Sequence, residues 1–349
     1  MKNHSNIPFF IPHSGCKNNC VFCSQVKITG KERKEPELSE ELSMLKSTIE
    51  EAIKTIPLNT EKQLAFFGGS FTGIDKDRMI ALLETGYEYV KTGKISGIRI
   101  STRPDYIDDG ILEVLKHYGV TDIELGIQSM NDRVLKACAR GHSAADSYRS
   151  GRLVVKHGFN LTGQIMIGLP LSEPDDEIET TDAVIDMKAS GARIYPLVVF
   201  ADTPLYDMTL SGKYKPLTDM EAVERSAICY ERFIKAGVKV LKIGLHSSES
   251  LAAAEYGANH PSIGELVKAR IYFNRISEQL KNIDCRDKKV DIYVKEGEQS
   301  KLTGHGKKLL NELTERFGIK QINVKTTDTE EFSPIIKCFC RNDVILVDR

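Results

Sequence analysis

An α/β fold, in which a partial (β/α)6 TIM-type barrel is followed by a small carboxy-terminal α/β domain, is what the sequence predicts on two observations. Short apolar or β-branched runs recur along the chain, each followed by a stretch with helical periodicity, the alternation expected of parallel strands joined by helices. Glycine-containing and turn-forming phrases close several of those runs, at the strand ends where a barrel of this kind carries its chemistry.

The runs are Ile7–Ile11, Leu64–Phe67, Ile98–Thr102, Ile123–Ile127, Leu161–Ile167 and Ile194–Phe200. After the first, Pro36 precedes an apolar stripe of Leu38, Leu42, Leu45, Ile49 and Ile53 at helical spacing. After the second, Asp75 and Asp77 open a helix whose apolar side is Met79, Leu82, Leu83, Tyr87 and Val90. Crossovers that return to a parallel neighbour are right-handed, so six such units curl into part of a barrel. Val238–Leu245 is a further strand-like run. The tail holds Val290–Val294, a helix over Lys307–Phe317 behind Gly304 and Gly306, then Ile322–Val324 and Val344–Val347. The expected division is therefore a barrel with its terminal extension over residues 1–284 and a small domain over 285–349.

Composition points to a water-soluble, cytoplasmic enzyme. The chain has 349 residues, 41% of them hydrophobic, which is enough for a large core with an appendage. Lys and Arg number 48 against 49 Asp and Glu, so no global positive field draws nucleic acid, and any such binding relies on local patches. The apolar run around Tyr195–Ala201 is too short to span a bilayer, and Met1 to Ser5 lead into no apolar signal core, so no membrane partner is expected. Eight cysteines without secretion signals read as reduced thiols and metal ligands.

Cys16, Cys20 and Cys23 stand in Cys-Lys-Asn-Asn-Cys-Val-Phe-Cys, just after the first strand. Three soft ligands on one tight loop converge without help from distant chain, and no fourth Cys or His follows at the spacing that closes a zinc knuckle. One coordination position stays open. The pattern, with the aromatic Phe22 before the third cysteine, resembles the signature of the radical SAM superfamily. The resemblance implies a [4Fe-4S] cluster on the three thiolates, with S-adenosylmethionine chelating the remaining iron. Free thiols or a zinc ion are the other readings of the same residues.

The strand ends extend the resemblance. Phe67-Gly68-Gly69-Ser70-Phe71-Thr72 falls where the family carries a Gly-Gly-Glu-type motif for the methionine amino group, with serine in place of glutamate. Ser101 opens the phrase after the third strand, Gln128 lies in Glu-Leu-Gly-Ile-Gln-Ser after the fourth, and Ile167 lies in Gln-Ile-Met-Ile-Gly-Leu-Pro after the fifth. With Ala139-Arg140-Gly141-His142-Ser143 and Ile194-Tyr195-Pro196-Leu197, these phrases are similar to the branch holding the Elongator catalytic subunit and, more distantly, oxygen-independent coproporphyrinogen oxidase. The tail is similar to the small domain of that branch, while an acetyltransferase domain like Elongator's is not expected, and the cysteine spacing is shorter than Elongator's.

By that resemblance Phe22 packs beside the cluster and presents backbone to adenine, and Gly68, Gly69 and Ser70 hold the methionine end. Ser101 makes a ribose or amino contact, Gln128 meets ribose hydroxyls, Arg140 grips the carboxylate, and Ile167 walls the adenine slot, although solvated-surface or core roles explain Arg140 and Ile167 as well. The implied chemistry is reductive cleavage of S-adenosylmethionine to a 5′-deoxyadenosyl radical, fed by an electron donor such as ferredoxin or flavodoxin. Three functions remain open: modification of a tRNA base, action on a small-molecule or porphyrin-like substrate, and a non-catalytic cluster-bearing RNA-binding protein. Lys17, Lys27, Lys31, Arg33 and Lys34 form a basic run able to meet RNA phosphates or simply to solvate a loop. Cys138, Cys229, Cys285, Cys338 and Cys340 read as buried or free thiols, and His246 and His260 as hydrogen-bonded structural histidines.

Overall fold

The computed structural model describes residues 4–11, 15–24, 36–245, 254–339 and 344–347. The described residues divide into two compact units, residues 1–222 with 232–261, and residues 223–231 with 262–349.

In the first unit, strands β1 (His4–Phe10), β2 (Glu61–Phe67), β3 (Gly97–Thr102), β4 (Val120–Gln128), β5 (Asn160–Ile167) and β6 (Gly191–Pro196) lie side by side in chain order. All neighbours are parallel, and β8 (Lys239–Ile243) adds a seventh strand beside β6. The sheet is the curled half-barrel expected, one strand longer than the six units counted from the sequence. The helices between strands are α1 (Leu38–Thr55), α2 (Lys76–Lys91), α3 (Asp109–His117), α4 (Asp132–Ala137), α5 (Ala144–Lys156) and α6 (Pro174–Asp186). Polar side chains start them where the sequence provides caps: Asp75 accepts from the Arg78 amide, Asp108 from the Ile111 amide, and Ser143 and Asp146 form a capping box.

The stripe of α1 is fully buried at Leu45 and Ile49 and emerges at its start, where Leu38 is exposed. Helix-facing positions of the strands, among them Leu64, Phe66, Ile98, Ile100, Ile123, Leu125, Ile165 and Ile194, are completely buried. Phe66 and Phe71 stack with ring centroids 4.5 Å apart. The run through Phe200 is not one strand: β6 ends at Pro196, which has no N–H to continue the ladder, and β7 (Val198–Val199) turns away to pair antiparallel with β9 (Tyr256–Gly257).

Helices α7 (Pro204–Leu210) and α8 (Asp219–Lys235) precede β8, and α9 (Ile263–Leu280) follows β9. In the second unit, β10 (Lys289–Lys295), β11 (Gln321–Thr327), β12 (Ile335–Phe339) and β13 (Val344–Val347) form a sheet in the order β11-β10-β12-β13. Helices α10 (Gln299–Thr303) and α11 (Lys308–Phe317) join β10 to its parallel neighbour β11. Val290, Ile292, Val294, Leu302, Leu313 and Ile336 form its fully buried core. Among the described residues, no helix is long and apolar enough to cross a membrane.

Candidate functional site

The loop carrying Cys16, Cys20 and Cys23 follows β1 and rests on the carboxyl ends of the neighbouring strands. Its entry is fixed sterically. Gly15 has φ 75°, and a Cβ there would lie 2.2 Å from the Ser70 carbonyl oxygen, so only glycine lets the loop lie against the turn after β2. Gly73 closes the same contact from the other side, its missing Cβ falling 2.4 Å from the Gly15 carbonyl. Cys16 Sγ then lies 3.3 Å from Ser70 Oγ, which is buried. The Cys23 amide donates to the Cys20 carbonyl at 3.0 Å, and the Val21 amide donates to Cys138 O at 3.2 Å.

Arg140 grips the middle of the loop. Its Nη1 lies 3.2 Å from Cys20 Sγ and its Nη2 donates to Gly126 O at 2.7 Å. Asn18 Nδ2 donates to Arg140 O at 3.3 Å, and Arg103 Nη2 donates to the same carbonyl. Arg103 is in turn held by Asp105, through Nε at 2.9 Å and Nη2 at 3.1 Å. Gln128 ends β4 with φ 68° at a register shift against β5. It lies beside Arg140: a Cβ on Gly126 would be 3.0 Å from Gln128 Nε2 and 3.3 Å from Arg140 Nη2. Phe22, half-buried, packs against an apolar cluster that includes Val134, Cys138, Leu169 and Leu205.

Thus the three cysteines, Phe22, Ser70, Gln128 and Arg140 are brought to one place, with Gly68 and Gly69 in the turn that ends in Ser70. Ser101 faces the concave side of the sheet and points to Glu124 Oε2 at 3.5 Å. Ile167 is completely buried on the helix-facing side, in phase with Gly163, which abuts Val184 of α6. Lys27, Lys31, Arg33, Lys34, His246 and Cys340 lie outside the described residues.

Arg103 and His142 are functional candidates that the sequence reading gave no role. Both are buried, and each keeps one polar atom without a protein partner: Arg103 Nη1 and His142 Nδ1, joined by Gln128 Oε1 and Arg140 Nε. Buried polar atoms are rarely left unpaired, so four such atoms beside one loop offer donors and acceptors to a polar ligand or to water. Arg103, standing before Pro104 at a strand end, and His142, two residues after Arg140, were legible only as members of their phrases.

His142 is kept neutral. Burial, reinforced by Arg140 and Arg103, pushes its pKa down to about 4. The unfolded chain binds that proton near the ordinary value of about 6.5, so below it the unfolded state carries more protons and stability falls as pH drops toward 4. A loss of about 2 kcal/mol between pH 7 and pH 5 is expected from this group. Urea titrations should show His142→Gln losing less than the parent over that interval; equal losses would assign the acid limb to other groups.

The remaining thiols do not compete for the loop's role. Cys138, close to Cys20, is fully buried, and burial pushes its thiol up to about 12. In the second unit Cys285 hydrogen-bonds with Cys338, and burial, then that contact, pushes it up to about 12. Neither is a ready thiolate at neutral pH. Among the described residues no three Cys, His, Asp or Glu groups converge tightly enough to hold a single metal ion. Cysteine thiolates are the ligands that iron–sulfur clusters use, and the loop carries three cysteines.

The concave face of the sheet is charged. Glu124, wholly buried, accepts from Arg99 Nη1 at 3.0 Å, from Arg193 Nε and Nη2 at 2.8 and 2.9 Å, and from Gln164 Nε2 at 3.0 Å. Arg99 also donates to Asp122 at 2.8 Å and to Gln63 at 2.9 Å. Alternate positions of β2 to β6 supply all of these groups, the opposite phase to the apolar helix-facing set.

A family model described as the Radical SAM superfamily matches residues 10–184, and one described as the Radical_SAM C-terminal domain matches 189–272. The tRNA uridine(34) acetyltransferase of Methanocaldococcus jannaschii is 29% identical over 192 residues, 54% of this chain and 34% of that protein. Human Elongator complex protein 3 is 30% identical over 209 residues, 58% of this chain and 36% of that protein. The chain thus spans about a third of the length of these two relatives. The solved structure of archaeal Methanocaldococcus infernus Elp3 with an N-terminal deletion superposes with a TM-score of 0.60 at 21% identity, covering 82% of this chain and 66% of that one.

Proposed function

The chain belongs to the Radical SAM superfamily, and on that premise we propose that it cleaves S-adenosylmethionine at a [4Fe-4S] cluster held by Cys16, Cys20 and Cys23 and acts on a base of tRNA. The observation that carries the cofactor assignment is the loop of three thiols ringed by unpartnered buried atoms of Arg103, Gln128, Arg140 and His142. When bound, the cluster and S-adenosylmethionine supply one-electron chemistry that ends in abstraction of a hydrogen atom from the substrate.

The protein's own part is to seat and enclose. Gly15, Gly73 and Ser70 fix the loop's first thiol, and Arg140 fixes its second. Arg103 and Arg140 offer guanidinium N–H groups suited to a carboxylate, Gln128 offers an amide oxygen suited to a hydroxyl or ammonium donor, and neutral His142 adds a ring nitrogen. Phe22 with its apolar neighbours keeps water from the loop's inner side. A reduced ferredoxin or flavodoxin is the donor class this chemistry requires.

The tRNA assignment rests on the relatives, the archaeal acetyltransferase being named for a tRNA uridine. The charged concave face of Gln63, Arg99, Glu124, Gln164 and Arg193 favours a second reading, a small polar substrate. Anaerobically reconstituted protein is expected to bind about four irons and, with a strong reductant, to release 5′-deoxyadenosine from S-adenosylmethionine. Mass spectrometry of tRNA nucleosides and soluble metabolites from a deletion strain separates the substrate readings: an altered metabolite with unaltered tRNA would discard the first. Arg140→Ala is expected to weaken S-adenosylmethionine binding about tenfold or more through loss of a charge-assisted hydrogen bond. Unchanged affinity in that variant would remove Arg140 from the cofactor site and leave the cysteine assignment standing.

A further inference from the structure

The sheet of the second unit has two unlike faces. Val290, Ile292 and Val294 of β10 are completely buried, as are Ile336 and Cys338 of β12, so the intervening residues point to the opposite face. That face carries Lys289, Asp291, Tyr293 and Lys295 on β10, with Asn323 and Lys325 of β11 opposite Asp291 and Tyr293. From β12 it carries Lys337, opposite Asp291, and Phe339, opposite Lys289 and 37% exposed. Four ammonium groups thus accompany one carboxylate, and Asp291 is already engaged by Lys325 at 2.5 Å and Asn323 at 2.8 Å. Two of the ammonium groups lie over the Tyr293 ring, Lys337 at 4.9 Å and Lys325 at 5.7 Å from its centroid.

We propose that this face is a docking platform for a single-stranded stretch of RNA, one base stacking on Tyr293 and the backbone phosphates meeting Lys289, Lys295 and Lys337. A half-buried tyrosine in the centre of a sheet, an exposed phenylalanine one strand away and a surplus of positive charge between them are what such a strand requires. An aromatic ring accepts any base by stacking, and ammonium groups neutralise the phosphates on either side. In the free protein the lysines cover the ring by cation–π contact. An incoming base takes their place: Lys337 moves to a phosphate and gains its full negative charge as partner, while Lys325 stays with Asp291. The near-balanced charge of the whole chain is no obstacle, because the positive charge is local. The proposal rests on the tRNA reading only for the identity of the RNA. The platform lies in the second unit, outside both family matches for every residue it uses.

The test is fluorescence anisotropy of the full-length protein with a labelled single-stranded RNA of about ten nucleotides, within the range of known single-strand site sizes, and with unmodified tRNA as a second probe. Tyr293→Ala is expected to weaken binding of the single strand about tenfold, while Tyr293→Phe, which keeps the ring, binds as the parent does. Lys295→Ser with Lys337→Ser is expected to reduce the slope of log affinity against log salt by about 1.4, two phosphate contacts at about 0.7 each. Iron content, 5′-deoxyadenosine release and melting temperature serve as the controls for folding and should stay at parent values. Parent-like RNA affinity in both Tyr293→Ala and the double lysine variant would overturn the platform and leave the tRNA reading intact. Absence of RNA binding by the parent at low salt would overturn both. Loss in the lysine variant without loss in Tyr293→Ala would reduce the face to a patch of charge and also overturn the proposal.

Discussion

Each of Cys16→Ala, Cys20→Ala and Cys23→Ala is expected to abolish reductant-dependent release of 5′-deoxyadenosine and to strip the reconstituted protein of its iron and its brown colour. The effect is expected to be all-or-none because the cluster depends on all three thiolates, and the other thiols described near the loop or paired in the second unit are poor substitutes. Cys138 is the thiol next to Cys20, but it is fully buried and held protonated, up to about 12, by desolvation. Cys285 and Cys338 are committed to each other in the second unit. The apoproteins should stay folded, since losing one sulfur leaves the close approach of Gly15 and Gly73 and the backbone bonds of Val21 and Cys23 in place. Iron assay, visible absorption and a melting curve on each variant check this. Full iron retention in any of the three would remove that cysteine from the ligand set.

The largest effect on stability is expected from Glu124→Leu. Its carboxylate lies between Arg99 and Arg193, accepting from both and from Gln164, and is completely buried. Removing it leaves two guanidinium groups in the interior with no shared counter-ion, and breaking a buried ionic group in this way costs about 3–5 kcal/mol. Against a total stability of about 5–15 kcal/mol that is severe, equivalent to a fall of about 10 °C in melting temperature for a unit of this size. Adding Arg193→Met should restore part of the loss, because an apolar pair of similar bulk no longer strands a charge there. A fall of less than about 2 °C for Glu124→Leu would mean that Asp122 and the remaining groups reorganise around the arginines, and that the network is worth little.

That same network explains what the sequence concealed. Strands β3, β4 and β6 were legible from Ile98 and Ile100, Ile123 and Leu125, and Ile194, because apolar residues at every second position mark a buried face. The alternate residues Arg99, Glu124 and Arg193 carry an equally regular period of two, which ordinarily signals a solvent face. In a closed-up parallel sheet that second face is the inside of the half-barrel, and only their tertiary pairing shows it. Strand β12 went unassigned as an element because Lys337 interrupts a run of five residues preceded by Ser333 and Pro334, and its strand character comes from pairing with β10. At the site, the cysteines and the phrases around Ser70, Gln128 and Arg140 were readable because spacing along a loop is local information. Arg103 and His142 were not, since what distinguishes them is an unpaired atom, a property of the folded neighbourhood alone.

The gripping of Cys20 by Arg140 spans 120 residues of chain, and the strict chain order of the sheet gives that separation a direction in time. During synthesis the thiols emerge with the first strand, yet the arginine that seats them appears only after the fourth, once Gly126 is in place to hold its other nitrogen. Until then the loop has its glycine lock against the second strand but no grip on its middle sulfur. Seating of the middle thiol therefore waits on the fourth of the seven strands, so the cysteine loop, although first in the chain, is completed only when more than half of the sheet exists.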